Sequence, residues 1–330
     1  MLKILTDEAT IRGSYRRFLR SLKASLDERI TVELSHPGAS FRARIAWSNR
    51  LGIWIYTKKT DGKYWNAFGV GRPRAKTNVP MTCEVNFPLQ GIDRRIGGAF
   101  AKDGSGRIFV LHRGKLGGGR RGVGKSLFEE RFRGTWAFAD DGGVETAAAV
   151  IGCLSSPSFA RQMAQFVRKV VRLKESAAPP DPQMELGLGE IRFQEEEYGE
   201  REPACETDLA ASCERSLIVR DLADALIKQG YGAANDDRWD LSAIDVRGQI
   251  HAAFAVADTA SLADIRTAVG CLLLGGAGAR PAPGQYLVLP AGTPGELQER
   301  LRLLNIEILH FHRQDDRTIF DNRDFPPRHS

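Results

Sequence analysis

The chain has 330 residues, of which 42% are hydrophobic and 27% charged, a composition typical of globular domains that excludes collagen-like and disordered proteins. This length predicts two domains of the usual size, roughly 150 residues each. Residues 1–174 hold 32 Lys and Arg against 14 Asp and Glu, a net charge of +18, whereas residues 175–330 have a net charge of −12. Because basic surfaces neutralise phosphates, we expect the first half to bind nucleic acid.

No apolar run reaches the roughly 18 residues that a membrane-spanning helix needs. Residues 1–8 lack the apolar core of a secretory signal. The five cysteines are odd in number and never form a C-x-x-C pair, which argues against a disulfide framework and a zinc site. The sequence therefore predicts a cytoplasmic protein with reduced thiols and no membrane partner.

A change of composition separates the two halves. Residues 175–213 contain eleven acids, two arginines and a proline cluster, which predicts an extended, solvated linker. We therefore expect a basic DNA-binding domain over 1–174, an acidic linker over 175–213 and a second domain over 214–330. The acidic linker could also lie across the basic domain and compete with DNA, but a solvated tether is the simpler interpretation.

The first domain begins with apolar residues at three- and four-residue spacings over 7–29, which predict a helix with arginines on its other positions. Short β-rich runs follow, broken by Gly, Pro and Asn. They cover residues 30–35, 41–47, 52–57, 63–70, 82–87, 98–101, 107–112 and 135–139. A second amphipathic stretch predicts a helix over 158–174. We therefore expect an α+β domain rich in antiparallel strands.

The second domain alternates between helices and strands. Helices are predicted over 214–229, 261–274 and 294–304, and strands over 241–246, 251–257, 286–289 and 307–311. Gly230 suits the left-handed position that ends the first of these helices. This order predicts a small α/β domain.

Three stretches of the second domain bear a resemblance to a known family. They are Arg-Trp-Asp-Leu at 238–241, Phe-Ala-Val-Ala at 254–257 and Tyr-Leu-Val-Leu-Pro at 286–290. With the intervening helix they resemble the PD-(D/E)xK nuclease superfamily over residues 214–320, which implies a restriction-endonuclease-like fold. In that superfamily an Asp and the acid of the (D/E)xK element hold a divalent cation, while the Lys orients the attacking water. Carboxylates suit Mg²⁺ because it is a hard cation.

The same resemblance implies a degenerate active site. Asp240 matches the first Asp of the family, but Ala255 and Ala257 stand where the acid and the Lys belong. Cys271 and Gly275 stand where the following helix usually carries a Gln-containing run. Asp240 alone would lack the second carboxylate that anchors a metal. We therefore expect a nuclease-like fold without cleavage activity and without a resident cofactor.

Two alternatives still assign the chain to an active type of nuclease. Glu214, Asp245 or Asp258 could replace the missing acid in an active Mg²⁺-dependent endonuclease, with Asp240 as a metal ligand. Alternatively, the two alanines mark an active-site mutant of such an enzyme. Whether the chain is an enzyme therefore stays open at this point.

Residues 107–126 form a glycine-rich basic stretch. Glycines let the backbone approach a ligand closely, and cations here can reach phosphates or a guanine edge. The expected nucleic-acid contacts in this stretch are His112, Arg113, Lys115, Arg120, Arg121 and Lys125. The turn upstream adds Asn86, Gln90, Arg94 and Arg95. Residues 86–134 also resemble N-terminal DNA-binding domains of bacterial restriction and defence proteins.

Residues 119–126 satisfy G-x-x-x-x-G-K-S, the phosphate-binding loop of NTPases. A nucleotide would then be held by Gly119, Gly124, Lys125 and Ser126. That motif requires a strand that leads directly into the glycines and a long helix after them. Here the predicted strand ends near His112, and residues 126–134 allow barely two helical turns. A nucleotide-binding protein is therefore the alternative from another functional class.

These patterns together predict a DNA-binding protein of the bacterial restriction or anti-phage defence type. Its nuclease-like domain would serve assembly or DNA positioning, because fold and chemistry are separable. The expected partners are DNA and either a second copy of the chain or a partner nuclease subunit.

Overall fold

The computed structural model describes residues 1–36, 39–116, 124–176, 209–234, 238–245, 247–279, 281–292, 295–315 and 317–321. The described residues up to Cys213 form one compact unit and those from Glu214 form a second. The structure is mixed α/β, with strands in several sheets and six helices in the described part. Within these ranges, no helix combines the length and the apolar composition needed to cross a membrane.

The first unit contains a sheet, a barrel and the helices around them. Its elements, in chain order, are β1 (Leu2–Ile4), α1 (Glu8–Lys23), β2 (Glu28–His36), β3 (Ala39–Ser48), β4 (Ile53–Thr60), β5 (Lys63–Val70), β6 (Asn78–Pro80), β7 (Cys83–Glu84), β8 (Phe87–Pro88), β9 (Gly98–Lys102), β10 (Ile108–His112), α2 (Lys125–Arg131), β11 (Trp136–Asp140), β12 (Glu145–Cys153) and α3 (Phe159–Ser176).

Helix α1 begins where a capping side chain is available. The Asp7 carboxylate accepts a hydrogen bond from the backbone N–H of Thr10 at 2.8 Å, which satisfies one of the free donors of the first turn. The helix buries Ile11, Phe18 and Leu22 on one face. It ends at Lys23, earlier than the predicted residue 29, because the chain enters β2 at Glu28.

The seven-stranded sheet has the order β6-β2-β3-β4-β5-β7, and β8 pairs with β5. One face carries a core of its own, built around the buried indoles of Trp47, Trp54 and Trp65. A Cβ atom at Gly69, which lies opposite Trp54, would overlap that indole. On the other face, β4 and β5 pack against α1 and α3.

The barrel closes in the order β1-β11-β12-β10-β9. All five strands contribute to one cluster, in which Ala99, Ala137 and Ala148 are small residues that let the strands approach closely. Leu209 and Cys213, from the start of α4 (Leu209–Lys228), are buried in the same cluster. The range predicted as linker is therefore helical at both ends, since α3 runs to Ser176 and α4 starts at Leu209.

The second unit is a sheet between helices. After α4, its elements are β13 (Gly232–Ala234), β14 (Leu241–Ile244), β15 (Ile250–Val256), α5 (Leu262–Gly276), β16 (Gly284–Pro290), α6 (Gly295–Leu303), β17 (Ile306–Gln314) and β18 (Arg317–Phe320). The strands lie in sequence order, with β15, β16 and β17 parallel and the other pairs antiparallel. Helix α4 packs on one face, and α5 and α6 pack on the other.

Candidate functional site

The structure brings the nuclease-like positions of the second unit together. Asp240 immediately precedes β14, and β14 pairs with β15, which ends at Val256. A carboxylate oxygen of Asp240 accepts the backbone N–H of Val256 at 2.6 Å. Asp240 therefore lies beside Ala255 and Ala257, but one of its oxygens is used to hold the end of β15.

Ala255 and Ala257 are fully buried. They belong to the apolar cluster between the sheet and the helices, which includes Ile265, Leu272 and Leu287. Ala255 and Ala257 offer no ligand atoms and face a packed apolar interior, so these described positions do not fit Mg²⁺. Among the described residues, His, Cys, Asp and Glu form no group of three or more that could hold a metal ion.

The carboxylates considered as replacements for the missing acid have protein partners. Asp258 is 6% exposed and lies 3.6 Å from the Arg215 guanidinium; burial raises its pKa, and Arg215 opposes that increase. Glu214 accepts a hydrogen bond from Arg313. Asp245 accepts two backbone N–H groups of its own turn, and these hold its pKa below the usual value.

Packing explains one of the two helix positions that differ from the family pattern, Gly275. A Cβ atom at Gly275 would lie 2.5 Å from the Trp239 indole nitrogen and 2.7 Å from the Arg238 carbonyl, so a side chain does not fit there. Cys271 is solvent-accessible, but the protein around its thiol partly desolvates it and, with the nearby charge of Asp240, raises its pKa.

In the first unit, several of the predicted contacts are interior residues. Asn86 is 6% exposed, and its side-chain oxygen Oδ1 accepts a hydrogen bond from the backbone N–H of Asn66 at 2.8 Å. Its amide group donates to Glu84. Asn86 therefore ties the β7–β8 segment to β5, and its polar groups serve the fold.

His112 and Arg113 are interior residues as well. Arg113 is 7% exposed and pairs with the fully buried Asp141 at 2.9 Å. The imidazole of His112 is fully buried. Its Nδ1 lies 3.1 Å from the backbone N–H of Gly114, and its Nε2 lies 3.1 Å from the Glu84 carbonyl oxygen. These partners require a neutral ring that accepts at Nδ1 and donates at Nε2.

Burial lowers the pKa of His112 to about 4. The unfolded chain takes up a proton near the ordinary value of about 6.5, so this residue stabilises the fold fully above that pH, and its contribution falls as the pH drops towards 4. We expect a difference of about 3 kcal/mol across this window. Chemical unfolding at several pH values measures how the free energy of unfolding changes with pH. This change should be smaller for His112→Gln than for the parent protein. An equal pH dependence in both proteins would contradict the low pKa of His112.

The remaining predicted contacts are at the surface or outside the described residues. Gln90 and Lys115 are exposed. Arg95 pairs with Asp93, Lys125 with Glu129, and the half-exposed Arg94 with Asp141. Gly119, Arg120 and Arg121 lie outside the described residues.

The described part of the phosphate-binding-loop motif, residues 124–126, lacks the strand and helix that such a loop requires. Gly124 precedes α2, and Lys125 and Ser126 are its first residues. Helix α2 has only seven residues, and β10 lies between antiparallel neighbours. The motif instead requires a strand that runs into the loop and a long helix that leaves it.

A basic groove in the first unit was missed by sequence reasoning. It has a volume of about 780 Å³ and is lined by Glu28, Arg29, Ile30, Thr31, Arg42, Arg72, Pro73, Arg74, Ala75 and Lys76. In this described lining, five side chains are cationic and one is acidic. The groove is therefore strongly positive.

The groove forms because strand alternation places cations on the outward face of the sheet. Arg29 on β2 and Arg42 and Arg44 on β3 point away from the core, and Arg42 lies opposite Glu33. The segment after β5 then returns alongside β2 and brings Arg72 to 2.8 Å from Glu28. The one available signal was the alternation of arginines in Arg42-Ala43-Arg44 and in Arg72-Pro73-Arg74.

In comparisons with known proteins, no family model, curated protein or solved structure matches this chain.

Proposed function

We propose that this chain is a DNA-binding protein whose first unit contacts the duplex. The observation that carries the proposal is the basic groove, where five cations converge around one acid. The net charge of +18 over residues 1–174 supports it, because cations held against the DNA backbone release condensed counterions. Arg120 and Arg121, which lie outside the described residues, remain predicted contacts.

The second unit is proposed to be a nuclease-like module without cleavage activity, in a protein of the bacterial restriction or anti-phage defence type. The resemblance to PD-(D/E)xK nucleases and the burial of Ala255 and Ala257 support this role. Such a unit would serve assembly, with a second copy or a partner nuclease, or DNA positioning. The alternatives are an active Mg²⁺-dependent nuclease and a nucleotide-binding protein. Cleavage of duplex DNA with Mg²⁺ would reveal the first, and saturable binding in a nucleotide titration would reveal the second.

Duplex binding by the full chain is expected to depend steeply on salt. If each of the five groove cations engages one phosphate, the slope of log K against log salt is about −4.5, and affinity falls by roughly 500-fold between 50 and 200 mM salt. Fluorescence anisotropy with a labelled duplex measures both quantities. Absence of binding at 50 mM salt, or affinity that does not change with salt, would overturn the proposal.

The full chain is the appropriate material for this measurement. Leu209 is fully buried and Cys213 is 5% exposed in the barrel cluster. A fragment that stops at residue 174 loses both side chains and leaves their apolar neighbours uncovered, so its failure to bind would not separate loss of contacts from loss of fold.

A further inference from the structure

We infer that the basic groove binds the sugar-phosphate backbone of duplex DNA and does not read the bases. This inference deepens the proposed function and rests on it. The groove would supply affinity and orientation, and any sequence preference would come from other parts of the chain.

The concave shape of the site favours the backbone. In a duplex the phosphates form the convex ridges, whereas the base edges lie on the floor of the grooves and are reached by protruding helices or ribbons. The lining residues lie on strands β2 and β3 and on the segment 72–76, which together enclose a recess. The groove can therefore accommodate the convex DNA backbone, whose phosphates are usually contacted by Arg and Lys.

The side chains of the groove also argue against single-stranded ligands. Sequence-tolerant binding of single strands relies on aromatic rings on which bases stack. The described lining contains no aromatic residue. The sheet's own tryptophans, Trp47, Trp54 and Trp65, are buried in a core cluster, so the groove offers charge without stacking surfaces.

The segment that carries three of the cations is held in place by the backbone. The N–H of Lys76 donates to the Thr31 carbonyl at 2.9 Å, and the N–H of Glu33 donates to the Thr77 carbonyl at 3.0 Å. The Arg74 carbonyl accepts the Thr77 hydroxyl at 2.7 Å. Arg74 and Lys76 are thus presented by a turn that is tied to β2, which reduces the entropy lost on binding.

Lys76 occupies a conformation that lysine seldom adopts. Its φ angle is +61°, in the left-handed region where Gly and Asn are more easily accommodated. Residues held in this region cluster at functional sites, which supports a role for the Lys76 charge in the groove.

Most of the groove cations are available to a ligand. Arg29, Arg42, Arg74 and Lys76 are at least partly exposed, and their side chains form no ion pair with another described residue. Arg72 pairs with Glu28, the one acid of the described lining. A phosphate ridge can therefore enter without first breaking a network of internal salt bridges.

The test compares the full chain with Arg42→Gln/Arg74→Gln/Lys76→Asn. Asn at position 76 tolerates the left-handed backbone while it removes the charge. The matched control, Lys3→Gln/Lys58→Gln/Lys59→Gln, removes three exposed charges of the first unit outside the groove. Circular dichroism and thermal unfolding verify that both variants are folded. Each protein is titrated into three duplexes of unrelated sequence and one single strand of equal length, over a range of salt concentrations.

We expect the groove variant to weaken binding to all three duplexes by the same factor and to reduce the salt slope by about 2.7, while the control changes the slope far less. A loss confined to one duplex, an unchanged slope, or parent binding to the single strand as tight as to the duplexes would overturn the inference and leave DNA binding intact. A parent chain that binds no DNA would overturn the proposed function itself.

Discussion

Replacing Ala255 by glutamate is expected to destabilise the second unit by roughly 3–5 kcal/mol at neutral pH, because the carboxylate would be buried without a partner. Ala255 is fully buried in the cluster that contains Ile265 and Leu272. Urea unfolding followed by circular dichroism measures this loss. The loss should be smaller at acidic pH, since a buried carboxyl with a raised pKa becomes neutral and is less costly to bury.

The matched control is Ala263→Glu, which makes the same substitution at an exposed position in the first turn of α5. A negative charge there is neutral or slightly favourable for stability.

The double variant Ala255→Glu/Ala257→Lys tests the nuclease alternative, and it is assayed for cleavage of duplex DNA with Mg²⁺. A stable double variant that cuts DNA would contradict our view that the apolar core has closed over these positions and would favour the nuclease alternative.

Removing the Asp141 carboxylate is expected to cost the first unit about 3–5 kcal/mol. Asp141 is fully buried and pairs with the buried Arg113, so Asp141→Ala leaves a guanidinium without its counter-charge in the interior. Thermal or urea unfolding of the variant measures the change. This result would place Arg113 in support of the fold and not in direct contact with DNA.

Glu145→Ala is the control for the same loss of charge, because Glu145 is exposed on the neighbouring strand β12. The double variant Asp141→Ala/Arg113→Met removes both buried charges and should recover part of the stability. An Asp141→Ala protein as stable as the parent would show that the pair contributes nothing.

Elements that form through local signals could be predicted from the sequence. Strand β5 has the predicted bounds, Lys63–Val70, because alternation and flanking turns define it. Strand β12 was missed: its Thr146-Ala147-Ala148-Ala149 segment contains residues with low strand propensity, and it becomes a strand because β10 and β11 pair with it on both sides. Strand β1 has only three residues and depends on partners 97 to 137 residues away along the chain.

The candidate sites likewise depend partly on the order of elements and partly on long-range packing. Asp240 lies beside Ala255 and Ala257 because the adjacent strands β14 and β15 bring them together. Their burial could not be predicted, since it depends on how α5 and α6 pack on the sheet. The basic groove is formed by β2, β3 and residues 72–76. These segments are separate in the sequence and meet only through long-range strand pairing, so no short sequence motif marks the groove.

The two hydrogen bonds of His112 also make this ring a spectroscopic reporter of the first unit. Because Nδ1 accepts from Gly114 while Nε2 donates to the Glu84 carbonyl, the folded protein contains a single tautomer with two chemically distinct nitrogens. In ¹⁵N-labelled protein these nitrogens should give one pyridine-like and one pyrrole-like resonance, and the shielded Nε2 proton should exchange slowly with solvent. Averaging of the two nitrogen shifts would then mark the local opening of the segment around β10 before global unfolding.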